Sequence, residues 1–491
     1  MQFVSIEFFA FLFISILGYF VIPKKVKYIW LLICSWCFYF YASKTLLLLL
    51  IGVTLLAYAS GRLLDKDNTS AKVNKKAVLI ISIVLMVGLL LYFKYTGFLL
   101  HTVSRFQVLL GLPDSMPVVN IILPLGISFY LFQAIGYIID CYRGTIKAEK
   151  NYLYVALFIS FFPQIMAGPI ERAGNMIPQY KEPKSFSYDG MRDGLLLMLW
   201  GYFQKIIIAD RLSIVVGNVY DSVDSYAGTT ILVATICYTL QIYCDFAGYS
   251  NIAIGSAKIM GINLMQNFKH PYLSGSIAQF WRNWHISLSS WFRDYLYIPL
   301  GGNRKGNARK LINIMIVFAV SGLWHGAAWT FVIWGLLHGL YQVIGSLLMP
   351  VRNKLVSTFN IDRNSFSHRL FKILFTFMLV NIGWVFFRAD TFVLAVDILK
   401  KMWGFAPWVL VDGTLFKLGL SAADVYLLIA ALIILLIVDI CNLKGIILRD
   451  QIYKQSLWLR WIIYITATIV VITCGIWGPG YDAASFIYSS F

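Results

Sequence analysis

The chain has 491 residues, 59% of them hydrophobic and only 13% charged, and so little polar surface cannot cover the exterior of a soluble domain. The formal net charge of +18 would suit nucleic acid, but the basic residues gather in short loops between apolar runs, as they do on the cytoplasmic side of membrane proteins. An all-α chain that crosses a lipid bilayer many times is expected, and no nucleic-acid partner.

The apolar run Phe3–Val21 comes first, with no basic segment before it and with Lys24, Lys25 and Lys27 after it. It therefore reads as a retained first helix with its N-terminus outside, not as a cleaved signal. Further runs follow at Tyr28–Tyr41, Thr45–Ala59, Ala77–Tyr92, Val118–Ile139, Tyr152–Ala167, Ile231–Tyr243, Leu311–Leu323, Trp329–Leu348, Ile373–Phe387, Val425–Ile440 and Ile462–Trp477. A crossing needs about 20 residues and several runs are shorter, so about 11–13 crossings are expected, with tilted, re-entrant or half-buried helices among them. The basic loops Arg62 to Lys76, Arg143 to Lys150, Arg304 to Lys310 and Lys444 to Arg460 belong inside, and Gly478–Phe491, which has no Lys or Arg, belongs outside. A single membrane domain is read over 1–491: plain spans over 1–140, a polar and aromatic core over 150–345, and spans with an aromatic tail over 366–491.

The seven cysteines lie mostly within apolar runs, and the Cys34/Cys37 pair has no second pair to complete a zinc site, so packing roles are expected and no metal. No phosphate-cradling glycine loop, dinucleotide fingerprint or HExxH zinc motif occurs, and no tightly bound cofactor is expected.

Chemistry is sought in the middle third. Read at helical period, Ile277–Ile298 places Arg282, His285, Ser289 and Arg293 on one face, with Trp281, Trp284, Leu288, Trp291 and Tyr295 opposite. Such a helix suits the wall of a wet cavity, or equally an interfacial helix with tryptophans at headgroup depth. His325 stands between apolar runs, after Trp324 and before Gly326, Ala327 and Ala328. Small residues would let helices and substrate approach the imidazole, which suits a general base facing a hydroxyl; a structural histidine at a helix kink is the alternative. His285 and His325 can meet only by tertiary packing, since one straight helix would hold them about 60 Å apart. His338 reads as structural, and His101, His270 and His368 carry no role. Asp245 interrupts an apolar stretch and must pair with a cation or face water; Arg172, Lys205, Arg282 and Arg293 are the candidate partners.

The segments MAGPIERAGNMIPQ (166–179), QIYCDFAGYSNIAIGSAKIMGI (241–262), FWRNWHISLSSWFRDYLYIPLGGNRKG (280–306) and SGLWHGAAW (321–329) resemble the membrane-bound O-acyltransferase (MBOAT) superfamily, and within it the alginate O-acetyltransferase (AlgI) branch. The likeness implies a ring of membrane helices around a thin central region with re-entrant helices and a tunnel. It implies O-acyl transfer from a cytoplasmic donor, acetyl-CoA, towards a polysaccharide outside, with His325 catalytic, His285 its partner, and Asn283, Trp284 and Trp324 shaping the site. Arg282, Asn283 or Ser287 would then supply donors for the developing oxyanion. Arg304 and Lys305 would hold the donor's diphosphate, or serve topology alone. Tyr488 in the tail is placed as an acyl relay, although Ser489 and Ser490 depart from the family's FIYFQF ending. A partner protein with an esterase-like extracytoplasmic domain would complete the sugar ester. The setting implied is the cytoplasmic membrane of a bacterium, with both termini outside. Two rivals stand beside this reading: D-alanyl transfer from a carrier protein to teichoic acid by the same fold, and a proton-coupled transporter or flippase using Asp245 and the histidines as a relay.

Overall fold

A segment surrounded by lipid must satisfy its backbone polar groups internally, which leaves the helix as the simplest answer. In a computed structural model of the chain, every regular element among the described residues is helical. Those residues are 1–65, 74–113, 116–117, 119, 121–166, 168–477 and 486–487. Seven helices among them are long and apolar enough to cross a membrane: Leu47–Leu64, Lys75–Leu109, Gly228–Ile259, Trp329–Leu347, Phe366–Arg388, Ala422–Leu443 and Leu457–Cys474; Ile6–Val21 is a shorter apolar helix. Leu48, Val84, Ile462 and Trp458 stay exposed on these helices. Apolar surface of that extent is untenable in water and is what lipid tails cover.

Several of the shorter runs are buried short helices. Tyr152–Ala167, read from the sequence as one span, divides into Tyr152–Ser160 and Phe162–Ile165, with Phe161 extended between them and Pro163 opening the second; proline lacks the N–H that a continuing helix would use. The run Val118–Ile139 contributes the helix Ile127–Arg143, which starts after Gly126 at φ 68°.

The chain forms two compact units, Met1–Leu195 with Ile252–Met265, and Leu196–Asn251 with Gln266–Phe491. In the first, Ile127–Arg143 is almost wholly buried and packs on Leu47–Leu64 and Lys75–Leu90. Gly61 admits the Tyr137 ring, which would lie 2.7 Å from a Cβ at that position. Ser60 and Ser82 join their hydroxyls at 2.7 Å, an interhelical hydrogen bond of the kind that replaces hydrophobic drive in lipid. Lys24 and Lys25, after the first helix, line an open pocket of about 640 Å³ with Lys181 and Lys184. In the second unit, Gly306–His325 and Trp329–Leu347 form a tight helical hairpin, against which Phe366–Arg388 is laid. That hairpin positions the site.

Candidate active site

The two helices of the hairpin approach until only glycine fits. A Cβ on Gly322 would stand 2.4 Å from the Phe331 carbonyl oxygen, and one on Gly335 2.3 Å from that of Phe318. The contact fixes the turn, and with it His325, the last residue of its helix. Gly326 is small because Phe331 occupies the space beside it: a Cβ there would fall 2.1 Å from that ring. Of the two approaches that small residues here would allow, by helices or by substrate, the structure shows close packing at Gly326. His325 is 1% exposed, with ring centroids of Trp324 at 4.9 Å, Trp334 at 4.9 Å and Phe387 at 5.4 Å. A passage opening onto this ring was expected; in this structure aromatic side chains enclose it.

His285 reaches the same place from a broken segment. The single amphipathic helix expected over Ile277–Ile298 is two short ones, Ile277–Asn283 and Ile286–Phe292. Trp284 between them is extended and His285 is left-handed at φ 41°, a region where histidine is among the few side chains found. The shared face of Arg282, His285, Ser289 and Arg293 therefore does not exist: Arg282 and Arg293 are exposed, while His285 is 0% exposed. The sequence has no Gly or Pro to announce this break. Asn267 imposes it from outside, its carbonyl accepting the Ile286 N–H at 3.0 Å and its Oδ1 accepting the Ser287 hydroxyl at 2.6 Å. The Asn267 amide also donates to Ser250 Oγ at 3.1 Å, and the Lys269 N–H donates to the Asn283 carbonyl at 2.9 Å.

The two imidazoles stand 6.4 Å apart between centroids, inclined at 57°. This is too long for a direct hydrogen bond between rings and short enough for both to address one group between them. Trp324 lies against each, 5.9 Å from His285 and 4.9 Å from His325. Behind them, Trp384 joins the two segments, 5.0 Å from Trp284 and stacked at 5.7 Å on Trp334. These three tryptophans are fully buried and act as a rigid spacer between the segments that carry the histidines.

Asp245 is buried and paired, as its cost in a membrane requires. Of the four candidate cations, Lys205 is the partner, at 2.7 Å, and it also meets Asp210 at 2.8 Å. Lys205 lies on the π-helix Phe203–Ala209, a feature that recurs at functional sites.

Residues 147–388, which contain Lys205, Asp245, His285, His325 and Trp384, match the membrane-bound O-acyltransferase family model. A probable alginate O-acetylase of Pseudomonas putida is 37% identical, over 82% of this chain and 80% of its own. A peptidoglycan O-acetyltransferase of Helicobacter pylori is 34% identical, over 81% of this chain and 78% of its own. A teichoic acid D-alanyltransferase of Bacillus subtilis is 31% identical over 45% of this chain and 58% of its own. The chain belongs to the membrane-bound O-acyltransferase family. It is a multi-pass membrane O-acyltransferase.

In this O-acyltransferase the other predicted residues divide by position. Ser287 is buried with its hydroxyl given to Asn267, and Asn283 donates its amide to Ser274 Oγ at 3.1 Å. The Ser287 hydroxyl and one Asn283 amide hydrogen are thus engaged within the protein, and Arg282 is exposed. Trp284 is a packing residue, ringed by Tyr243, Phe268, Tyr272 and Phe280. Arg304 and Lys305 lie exposed at the start of Gly306–His325, a full helix length, about 30 Å, from His325. Tyr488 lies outside the described residues. His338 accepts the Trp281 indole N–H at 3.3 Å on Nδ1, the structural role expected. All seven cysteines are free, and among the described residues no His, Cys, Asp and Glu cluster could hold a metal ion. Asn267, Trp334, Phe387 and Trp384 were not singled out from sequence. Asn267 sits in an unremarkable polar turn, and the aromatic residues look like any span.

Proposed function

We propose that the enzyme moves acetyl groups from cytoplasmic acetyl-CoA across the cytoplasmic membrane of a bacterium for O-acetylation of an extracytoplasmic polysaccharide, with His325 as general base. The observation that supports this most is the pairing of His325 with His285 across 6.4 Å inside an aromatic enclosure. The acceptor hydroxyl oxygen attacks the thioester carbonyl carbon as His325 takes its proton. The tetrahedral intermediate then collapses, the new C–O ester bond remains, the C–S bond breaks and the proton passes to the departing thiolate. His285 faces the same space and positions that proton exchange. For the oxyanion, the Trp334 indole N–H is the donor best supported: it is buried beside His325 with no hydrogen-bond partner among the described residues, and a preorganised donor in a dry site is the main source of such stabilisation. Relatives named for alginate and peptidoglycan O-acetylation favour acetyl over other acyl groups. An esterase-like extracytoplasmic partner, with Tyr488 as relay, would complete the sugar ester. The test is radiolabelled acetyl-CoA supplied to the enzyme in proteoliposomes with a glycan acceptor. Labelled ester should form and fall at least about 10²-fold in His325→Ala; an enzyme that leaves acetyl-CoA untouched sinks the reading. The D-alanyl reading draws on the Bacillus subtilis relative and would be favoured if only an aminoacylated carrier protein served as donor.

A further inference from the structure

We propose that Asp245 is the docking point for the chain's C-terminal segment, and that the docked segment forms part of the wall holding His285. Its catalytic half rests on the acyl-transfer reading above; its docking half does not. Lys205 is shared by Asp210 and Asp245 at 2.8 and 2.7 Å, so three buried ionisable groups carry one formal negative charge in excess. A buried carboxylate in that position needs donors beyond its cation. Asp245 Oδ2 takes one from the Ile487 main-chain N–H at 2.8 Å, a residue 242 positions away. The neighbouring residues convert that bond into a contact with the site. Phe486 is 2% exposed, its ring 4.4 Å from Tyr249 and 5.7 Å from Phe246. Phe246 in turn presents its edge to His285 at 4.7 Å. Consecutive residues of one helix thus do two things: the carboxylate of Asp245 holds the tail's backbone, and the ring of Phe246 lies between the tail and the imidazole. Because the bond goes to a main-chain amide, the side chain at 487 is not read, whereas the ring at 486 is.

The experiment uses the full chain in proteoliposomes with p-benzoylphenylalanine in place of Phe486. Irradiation should crosslink it to the 246–249 segment, mapped by mass spectrometry of peptides. Ile487→Pro deletes the donor without touching the ion pair, so crosslinking should fall about tenfold, the range supported by a hydrogen bond to a charged group. Asp245→Ala should do the same, while Asp245→Asn, which keeps an acceptor oxygen, should retain most of the crosslink. In the acetyl-transfer assay Ile487→Pro and Asp245→Ala should each lower kcat, and the double variant should be no worse than Asp245→Ala, because both act through one contact. Undiminished crosslinking in Ile487→Pro overturns the docking, and additive losses of kcat overturn its link to His285. Absence of acetyl transfer in the unmodified enzyme would instead strike the functional reading, with the crosslinking result still standing.

Discussion

At position 285 the backbone adopts φ 41°, a conformation that costs an ordinary side chain about 1–2 kcal/mol. Asn267 holds the far side of the break through Ile286 and Ser287, and Lys269 holds the near side through the Asn283 carbonyl. Asn267→Ala removes the side-chain bonds to the buried Ser287 and Ser250 hydroxyls, and should destabilise the enzyme by about 1–3 kcal/mol. Thermal unfolding in detergent measures this, and a melting temperature equal to that of the unaltered chain would refute it. Trp334→Phe keeps the ring that packs on His325 and Trp384 but removes the indole N–H. It should lower kcat by about 10²–10³-fold with the melting temperature nearly unchanged; an unaltered kcat would remove Trp334 from the mechanism. The sequence disclosed both histidines because an imidazole next to apolar runs is costly enough to stand out, and Asp245 for the same reason. It could not disclose Asn267, since an asparagine between helices looks alike whether it faces solvent or closes a buried network. Lys205 was one of four candidate cations, and only packing could choose among them.

Among the elements, the Gly306–His325 and Trp329–Leu347 hairpin depends on two glycines whose missing side chains would collide with main-chain carbonyls. Backbone cannot step aside as a flexible side chain can, so Gly322→Ala and Gly335→Ala should each cost about 1–3 kcal/mol and pull His325 away from His285. Gly345, on the same helix, meets nothing within 4 Å of an added Cβ, and Gly345→Ala should be neutral or stabilising by up to about 1 kcal/mol. Parallel unfolding curves and acetyl-transfer rates check the contrast; equal effects at all three positions would show that the close crossing is not what sets the site. Period and hydropathy revealed the long helices well, because lipid rewards an unbroken apolar run wherever it falls. They failed at Ile277–Ile298, where helical periodicity continues through residues that Asn267 forces out of the helix, and at Tyr152–Ala167, where Pro163 divides a run of uniform hydropathy.

On the scale of the molecule, the apolar exterior of helices such as Leu457–Cys474 faces lipid, while both imidazoles lie out of reach of solvent. If, as proposed, a thioester and a hydroxyl meet between them, the enclosure of Trp324, Trp334 and Phe387 has to open during turnover. The tryptophan spacer from Trp284 through Trp384 to Trp334 belongs to segments whose separation sets the histidine pair, and Phe387, near the C-terminal end of Phe366–Arg388, packs on Phe331, Trp334 and Trp384 as well as on His325. Movement of Phe387 would therefore uncover His325 and release one side of the spacer, since the same ring packs on Trp334 and Trp384. Diethyl pyrocarbonate, which acylates accessible imidazoles, should modify exposed His101 rapidly and His325 slowly, with peptide mass mapping separating the two. Phe387→Ala should raise the His325 rate several-fold and leave that of His101 alone. A His325 as reactive as His101 in the unaltered enzyme would mean that the enclosure is already open in solution, and access would then be set by the lipid boundary instead of by this ring.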